Sequence, residues 1–304
     1  MTKSGHDAGH EAGAGPEDRR PSVRVTICGA RGSTPAPGPE FVRYGGHTSC
    51  VALAHDGELP SLVLDAGTGI RRLTPLLGGA PFAGAIVFGH LHWDHTQGLP
   101  FFSAADRPDG RTDVYLPAQG DAEEVFGRNM SPPHFPITPG ELRGSWRFHA
   151  LEPGTHDIEG FTVLALEIPH KGGRTFGYRI SDGSSSVAYL SDHCPTALGS
   201  GPDGLGEYHE SAVVLATHCD LLLHDAQYLD EELATRAGFG HASAGYAVRL
   251  AARAGARRLL FFHHDPPRTD GDIDCIVRAY ADGPVPVAAA VEGMVVDLPG
   301  PPTP

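Results

Sequence analysis

The hexapeptide His90-Leu91-His92-Trp93-Asp94-His95 places three imidazoles and one carboxylate within six residues. Neutral imidazole and carboxylate together suit a borderline divalent ion, zinc first, with manganese or iron as alternatives. His90 and His92 alternate with Leu91 and can face one ion. Asp94 and His95 follow on the next turn and can face a second. The cluster comes just after the apolar run Ala85-Ile86-Val87-Phe88, which reads as a buried strand and gives the ligands rigid support. Two ions need more ligands than one hexapeptide offers. Three other apolar runs end in a ligand-type residue: Ile168-Pro169-His170, Tyr189-Leu190-Ser191-Asp192 and Leu260-Phe261-Phe262-His263. Each repeats the arrangement at His90, so His170, Asp192 and His263 join the candidate set.

Short apolar runs bounded by Gly and Pro supply the elements that must hold these groups. Strands are expected at Val23-Cys28, Cys50-Ala54, Ser61-Asp65, Ala85-Gly89 and Asp113-Leu116. Others are expected at Phe161-Ile168, Thr175-Ile180, Ser186-Leu190, Leu221-His224, Arg258-Phe262 and Gly293-Leu298. Helices are expected at Asp121-Arg128, His209-His218 and Ser243-Gly255; the last carries Tyr246, Leu250 and Ala254 as one apolar stripe and stops at glycine. Many strands with helices between only some of them predict an α/β sandwich of mixed sheets. Residues 101–141 read as a cap or lid loop over one hydrolase-sized domain at 21–299, flanked by a disordered tail at 1–20 and a short one at 300–304.

The chain has 304 residues, 40% of them hydrophobic, enough for a large core. Its formal net charge of −14 repels a phosphate backbone, so a nucleic-acid partner is disfavoured and a small anionic substrate is preferred. The five cysteines are widely spaced, with no C-x-x-C, which fits reduced thiols in the cytoplasm. No run reaches the length of a membrane span, and the N-terminus lacks the apolar segment of a secretory signal.

The H-x-H-x-D-H pattern, followed by His, Asp and His at strand ends, resembles the metallo-β-lactamase fold hydrolases. Phe176-Gly177-Tyr178-Arg179-Ile180, Leu223-His224-Asp225-Ala226-Gln227 and Gly240-His241-Ala242-Ser243 narrow the resemblance to the ribonuclease Z and cyclic-nucleotide phosphodiesterase branch. Gly29-Ala30-Arg31-Gly32-Ser33-Thr34-Pro35 and Leu64-Asp65-Ala66-Gly67-Thr68-Gly69 fit it too, so it runs from about Val23 to about Asp265. The resemblance implies two mixed sheets with helices on their outer faces, an αββα sandwich. It also implies two divalent ions: one on His90, His92 and His170, the other on Asp94, His95 and His263, with Asp192 bridging. His241, oriented by Asp225, would donate a proton or clamp a phosphate. Asp94, Asp225 and His241 are thus the candidate catalytic groups, although ribonuclease Z usually carries Glu where this chain has Asp225. Asp65 is read as orienting a metal-bound histidine rather than as a ligand. A homodimer is expected by analogy.

Two such ions can activate a shared hydroxide at neutral pH for attack on a phosphodiester. Phosphate would need further donors, and Arg31, Arg43, Lys171, Arg174 and Tyr178 are the candidates. Ribonuclease Z carries a long arm between the Gly-Tyr-Arg stretch and the bridging Asp. Here only Ser181 to Ser191 separates Ile180 from Asp192. The missing arm and the acidic charge favour a small phosphodiester, cyclic ones included, over transfer RNA. Hydrolysis of a carboxylic ester, lactone or thioester, and di-iron redox chemistry, are the alternatives on the same core.

Overall fold

Short runs rich in Val, Ile, Leu and Phe, cut by Gly and Pro, make strands because branched and aromatic side chains pack well on a pleated surface. The computed structural model describes residues 21–300. The expected tail at 1–20 lies outside the described residues, as does the C-terminal one apart from Gly300. The strands are β1 Pro21–Gly29, β2 Cys50–His55, β3 Leu62–Leu64, β4 Ala83–Val87, β5 Arg111–Pro117, β6 Ser145–Leu151 and β7 Gly154–Ile158. They continue as β8 Phe161–Glu167, β9 Phe176–Ser181, β10 Ser186–Leu190, β11 Leu221–Asp225, β12 Leu259–Phe262, β13 Val287–Ala289 and β14 Val295–Pro299. The α-helices are α1 Leu73–Leu76, α2 Trp93–Thr96, α3 Ala122–Gly127, α4 Glu210–Ala216, α5 Leu233–Arg236, α6 Ala244–Ala254 and α7 Asp270–Ala279.

The strands form two seven-stranded sheets, ordered β14-β1-β2-β3-β4-β5-β6 and β13-β12-β11-β10-β9-β8-β7. Both are mixed. In the first, β14 to β3 pair antiparallel and β3 to β6 parallel. In the second, β7 to β10 pair antiparallel and β10 to β13 parallel. The sheets face each other across a core in which Val25, Leu53, Leu64 and Val87 meet Phe161, Tyr178, Val187, Leu223 and Phe262. Helices α4 and α6 cover the outer face of the second sheet, with Leu215, Tyr246 and Leu250 against Ala188 and Leu222. Leu73 of α1 and Phe126 of α3 cover the first, against Val63 and Ile86. The result is an αββα sandwich.

Helix α6 shows how local signals fix an element. The Ser243 side chain accepts from the Tyr246 N–H at its start, and Gly255 takes a left-handed conformation at its end. Between them Tyr246, Leu250 and Ala254 are all buried.

Some elements depart from the sequence expectation. β6 and β7 are edge strands with partly exposed, polar sequences, β13 is an edge strand of only three residues, and α7 begins Asp-Gly-Asp, which reads as a turn. Residues 101–141, read as a cap region, contain the expected strand and helix, β5 held between β4 and β6, and α3. The β9–β10 hairpin pairs Ser181 with Ser186, a tight turn that agrees with the short spacing read from the sequence.

Candidate metal centre

The ligand-type residues collect at the carboxyl ends of strands. His90 follows β4, His170 follows β8, Asp192 follows β10 and His263 follows β12. His92 caps the single turn of α2, on which Asp94 and His95 lie. One potential ligand atom each from His90, His92 and His170 falls within 4.8 Å of the others. The same holds for Asp94, His95 and His263, for His90, His95 and Asp192, and for His170, Asp192 and His241. Asp192 thus borders both trios.

The outer nitrogens of these rings decide what their inner nitrogens present. His95 Nδ1 donates to Asp65 Oδ2 at 2.7 Å, His170 Nδ1 to the Gly240 carbonyl at 2.7 Å, and His263 Nδ1 to Gln227 Oε1 at 2.8 Å. In the neutral ring each inner Nε2 then carries a lone pair. Those lone pairs point at carboxylates: His95 Nε2 lies 3.0 Å from Asp192 Oδ2, and His263 Nε2 lies 3.0 Å from Asp94 Oδ2. His170 Nε2 lies 3.4 Å from His92 Nδ1. Both ring nitrogens of His90 are buried without a hydrogen-bond partner. Acceptors facing acceptors in a buried site repel unless a cation lies between them, so the donor set fits divalent metal.

The electrostatics of these side chains show the same tension. Burial holds His170 down to about 4 and His90 well below the ordinary histidine value. Burial also opposes charge on His263 and His95. There Asp192 and Asp94 prevail, raising His263 to about 9 and His95 well above its ordinary value. Asp94 and Asp192 stay well below the carboxylate range because the surrounding imidazoles outweigh their burial.

The supports are built as carefully as the ligands. Asp65 Oδ2 accepts from His95 and, at 2.6 Å, from the Tyr189 hydroxyl, while Oδ1 accepts from the Gly89 N–H at 2.8 Å. Asp225 Oδ2 accepts from His241 Nδ1 at 2.9 Å, and Asp225 Oδ1 from the Gln227 N–H at 3.0 Å. The Ser33 N–H donates to Asp94 Oδ2 at 2.7 Å. Ser33, Asp65 and His263 hold φ at 58°, 59° and 57°, in the left-handed region that side chains avoid. Gly32 must lack a side chain, since a Cβ there would lie 2.4 Å from His263 Nδ1. Ser33, Gln227 and Tyr189 were missed as site residues in the sequence. Each lies within a stretch that the sequence singled out, Ser33 in Gly29–Pro35, Tyr189 in the run ending at Asp192 and Gln227 two residues beyond Asp225, but none was assigned a role.

A cleft of about 420 Å³ opens on the centre, lined by Ser33, Leu91, His92, Trp93, Asp94, Asn129, Asp192 and His241. The expected phosphate-binding residues are absent from that lining, and each is committed elsewhere. Tyr178 is wholly buried and donates to the Phe88 carbonyl at 2.6 Å, bracing the strand end before His90. Arg31 is also wholly buried, and its guanidinium holds the carbonyls of Gly45 and Arg268 at 2.9 and 2.8 Å. Arg43 pairs with Asp274 at 2.6 Å and Arg174 with Glu167 at 3.0 Å, while Lys171 Nζ donates to the Gly238 carbonyl at 2.9 Å. In this structure these five make the contacts named above, and none of them lines the cleft.

Residues 61–264 match the model of the β-lactamase superfamily domain. The chain belongs to that superfamily, has the metallo-β-lactamase fold, and is one of its metal-dependent hydrolases. It is 26% identical to a protein of Natronomonas pharaonis named ribonuclease Z, over 92% of this chain and 99% of that one. It is 29% identical to an uncharacterized protein of Mycobacterium tuberculosis, over 87% of this chain and 89% of the relative. Among solved structures, the metallo-β-lactamase fold protein YhfI of Bacillus subtilis superposes with a TM-score of 0.66 at 21% identity, covering 91% of this chain and 99% of its own.

Proposed function

We propose that this protein hydrolyses a small phosphodiester with two divalent ions, zinc in the first instance. The observation that carries the reading is His241. Its Nδ1 is held by Asp225, it lies 3.6 Å from Asp192, and it lines the cleft beside the ligand cluster. Phosphodiester cleavage expels an alkoxide, a poor leaving group that benefits from a proton delivered as the bond breaks. With Nδ1 tied to Asp225, the proton of a doubly protonated ring leaves from Nε2, and the Asp225 carboxylate balances the charge while it is held. The ions, when bound, lower the pKa of a water and offset charge on the phosphoryl oxygens. His95, His170 and His263 are locked by their outer hydrogen bonds, so the site is preorganised for them. The ribonuclease Z name of the 26% identical relative supports phosphodiester chemistry. The net charge of −14 and the tight β9–β10 turn support a small substrate over a nucleic acid. Five free cysteines support a cytoplasmic setting.

The test is turnover of bis(p-nitrophenyl) phosphate by zinc-loaded protein, beside His241→Ala and a lactone and p-nitrophenyl acetate panel. Expected is diester turnover that falls roughly 10²- to 10⁴-fold in His241→Ala with zinc content unchanged. Turnover confined to the lactone or acetate would move the assignment to carboxylic esters.

A further inference from the structure

We propose that a cavity on the outer face of the first sheet binds an amphiphilic anion, a phosphate or carboxylate head carrying a short aliphatic tail. This does not rest on the phosphodiesterase reading. The cavity, of about 450 Å³, shares no lining residue with the metal cleft, and its size is typical of small-molecule sites. It lies where the cover over the sheet gives out. A 3₁₀ turn at Thr68–Arg72 packs on β1 and β2, and the single turn of α1 that follows ends at Leu76. Beyond them is the β1–β14 edge. Val25 and Ile27 point into the core between the sheets, so Thr26 and Cys28 point outward, and Val295 stands opposite Thr26. These residues, with Leu76, line the cavity. Leu76 is 44% exposed and Val295 50%, so two aliphatic side chains face water across one hollow.

The charged groups select the head. Arg71, Arg72 and His47 line the same cavity, and none of its lining residues is acidic. Arg72 reaches a carboxylate only at 3.5 Å, that of Glu292, and Glu292 already accepts the His47 N–H. Arg71 is exposed and pairs with no carboxylate among the described residues. His47 adds a donor. Thr68 Oγ1 accepts the Thr48 N–H at 2.9 Å and lies 3.1 Å from His47 Nδ1, so the hydroxyl gives its own proton to that nitrogen. The ring hydrogen of His47 is then on Nε2. Two weakly engaged guanidiniums and an imidazole donor make a local positive field in a chain of net charge −14. Guanidinium forks match the paired oxygens of a phosphate or a carboxylate. A bare anion would leave Leu76 and Val295 wet, and a neutral alkyl chain would leave the arginines unmatched. A molecule with both ends satisfies both walls.

The test is calorimetric titration of the zinc-loaded chain with hexanesulfonate. A sulfonate keeps its charge at any working pH and is a poor ligand for zinc, so the metal centre does not compete for it. Methanesulfonate is the head alone and hexanol the tail alone. Expected is a single site that prefers hexanesulfonate to methanesulfonate by about ten-fold or more, since burying two methylene groups is already worth about ten-fold. Arg71→Ala and Leu76→Asp, both at exposed positions, should each weaken binding by about ten-fold or more with zinc content unchanged. Hexyl phosphate and hexanoate, added in competition, then rank the two natural heads. Equal affinities for the two sulfonates, hexanol binding as tightly as hexanesulfonate, or binding that survives Arg71→Ala would overturn the proposal. So would failure of both competitors to displace the sulfonate. Binding lost in Asp192→Asn would place the anion at the metals instead and overturn it too. A dimer that Leu76→Asp splits would do the same, since a second copy would then cover the apolar wall.

Discussion

Replacing Asp65 by Asn keeps the size of the side chain and removes one acceptor. The carboxylate receives three donors: the Gly89 N–H at 2.8 Å, His95 Nδ1 at 2.7 Å and the Tyr189 hydroxyl at 2.6 Å. An amide cannot accept on both sides. If its oxygen stays with Gly89, its NH₂ faces His95 Nδ1. The ring must then shift its proton to Nε2, the nitrogen that lies 3.0 Å from Asp192, and it can no longer ligate. If the amide turns over, the buried Gly89 N–H loses its partner, at a cost of about 1–3 kcal/mol. Either way zinc affinity is expected to fall about 10- to 100-fold, the usual effect of losing a carboxylate behind a histidine ligand. Chelator competition measures it. Tyr189→Phe is the control, since it removes one donor and leaves His95 its acceptor, and it should change affinity less than about three-fold. An Asp65→Asn variant that holds zinc as tightly as the wild type would refute the claim that Asp65 sets the His95 tautomer.

Two further outcomes follow from the site. Tyr178→Phe deletes a buried hydrogen bond to the Phe88 carbonyl and should lower stability by about 0.5–1.5 kcal/mol while leaving kcat/KM unchanged; a large loss of kcat/KM would return Tyr178 to the substrate. In the metal-free protein His263 is raised from 6.5 to about 9, and His95 moves the same way. The His263 contribution to stability is full below about 6.5 and fades as pH rises through about 9, and that of His95 runs in the same direction. Zinc must displace these protons, so its binding near pH 7.5 should release about two of them, and its affinity should rise with pH; calorimetric heats independent of buffer ionisation would contradict this.

The ligand cluster and the strand-end His, Asp and His were legible because they combine chemistry with a break in hydropathy. The central strands were legible for a related reason: buried on both faces, they read as continuous apolar runs. β6 and β7 at the sheet edges were not, since partly exposed strands carry His, Arg, Asp and Thr that look like loop. The cations meet a different limit. Arg31 is basic and near the site in sequence terms, but nothing in a sequence distinguishes a guanidinium aimed at substrate from one spent on the carbonyls of Gly45 and Arg268. Ser33 and Gln227 were hidden because they act through contacts across 61 and 36 positions of chain.

Ser33, Asp65 and His263 all hold their backbones in a conformation that costs a side chain about 1–3 kcal/mol. Glycine would relax each of them, and at Asp65 and His263 it would delete the group the site depends on. The sequence therefore cannot drift toward greater stability at these positions without losing the function. Work to make this protein more robust belongs in the edge strands and exposed loops, and a stabilising Gly found at Asp65 or His263 would mark a chain that has abandoned the chemistry.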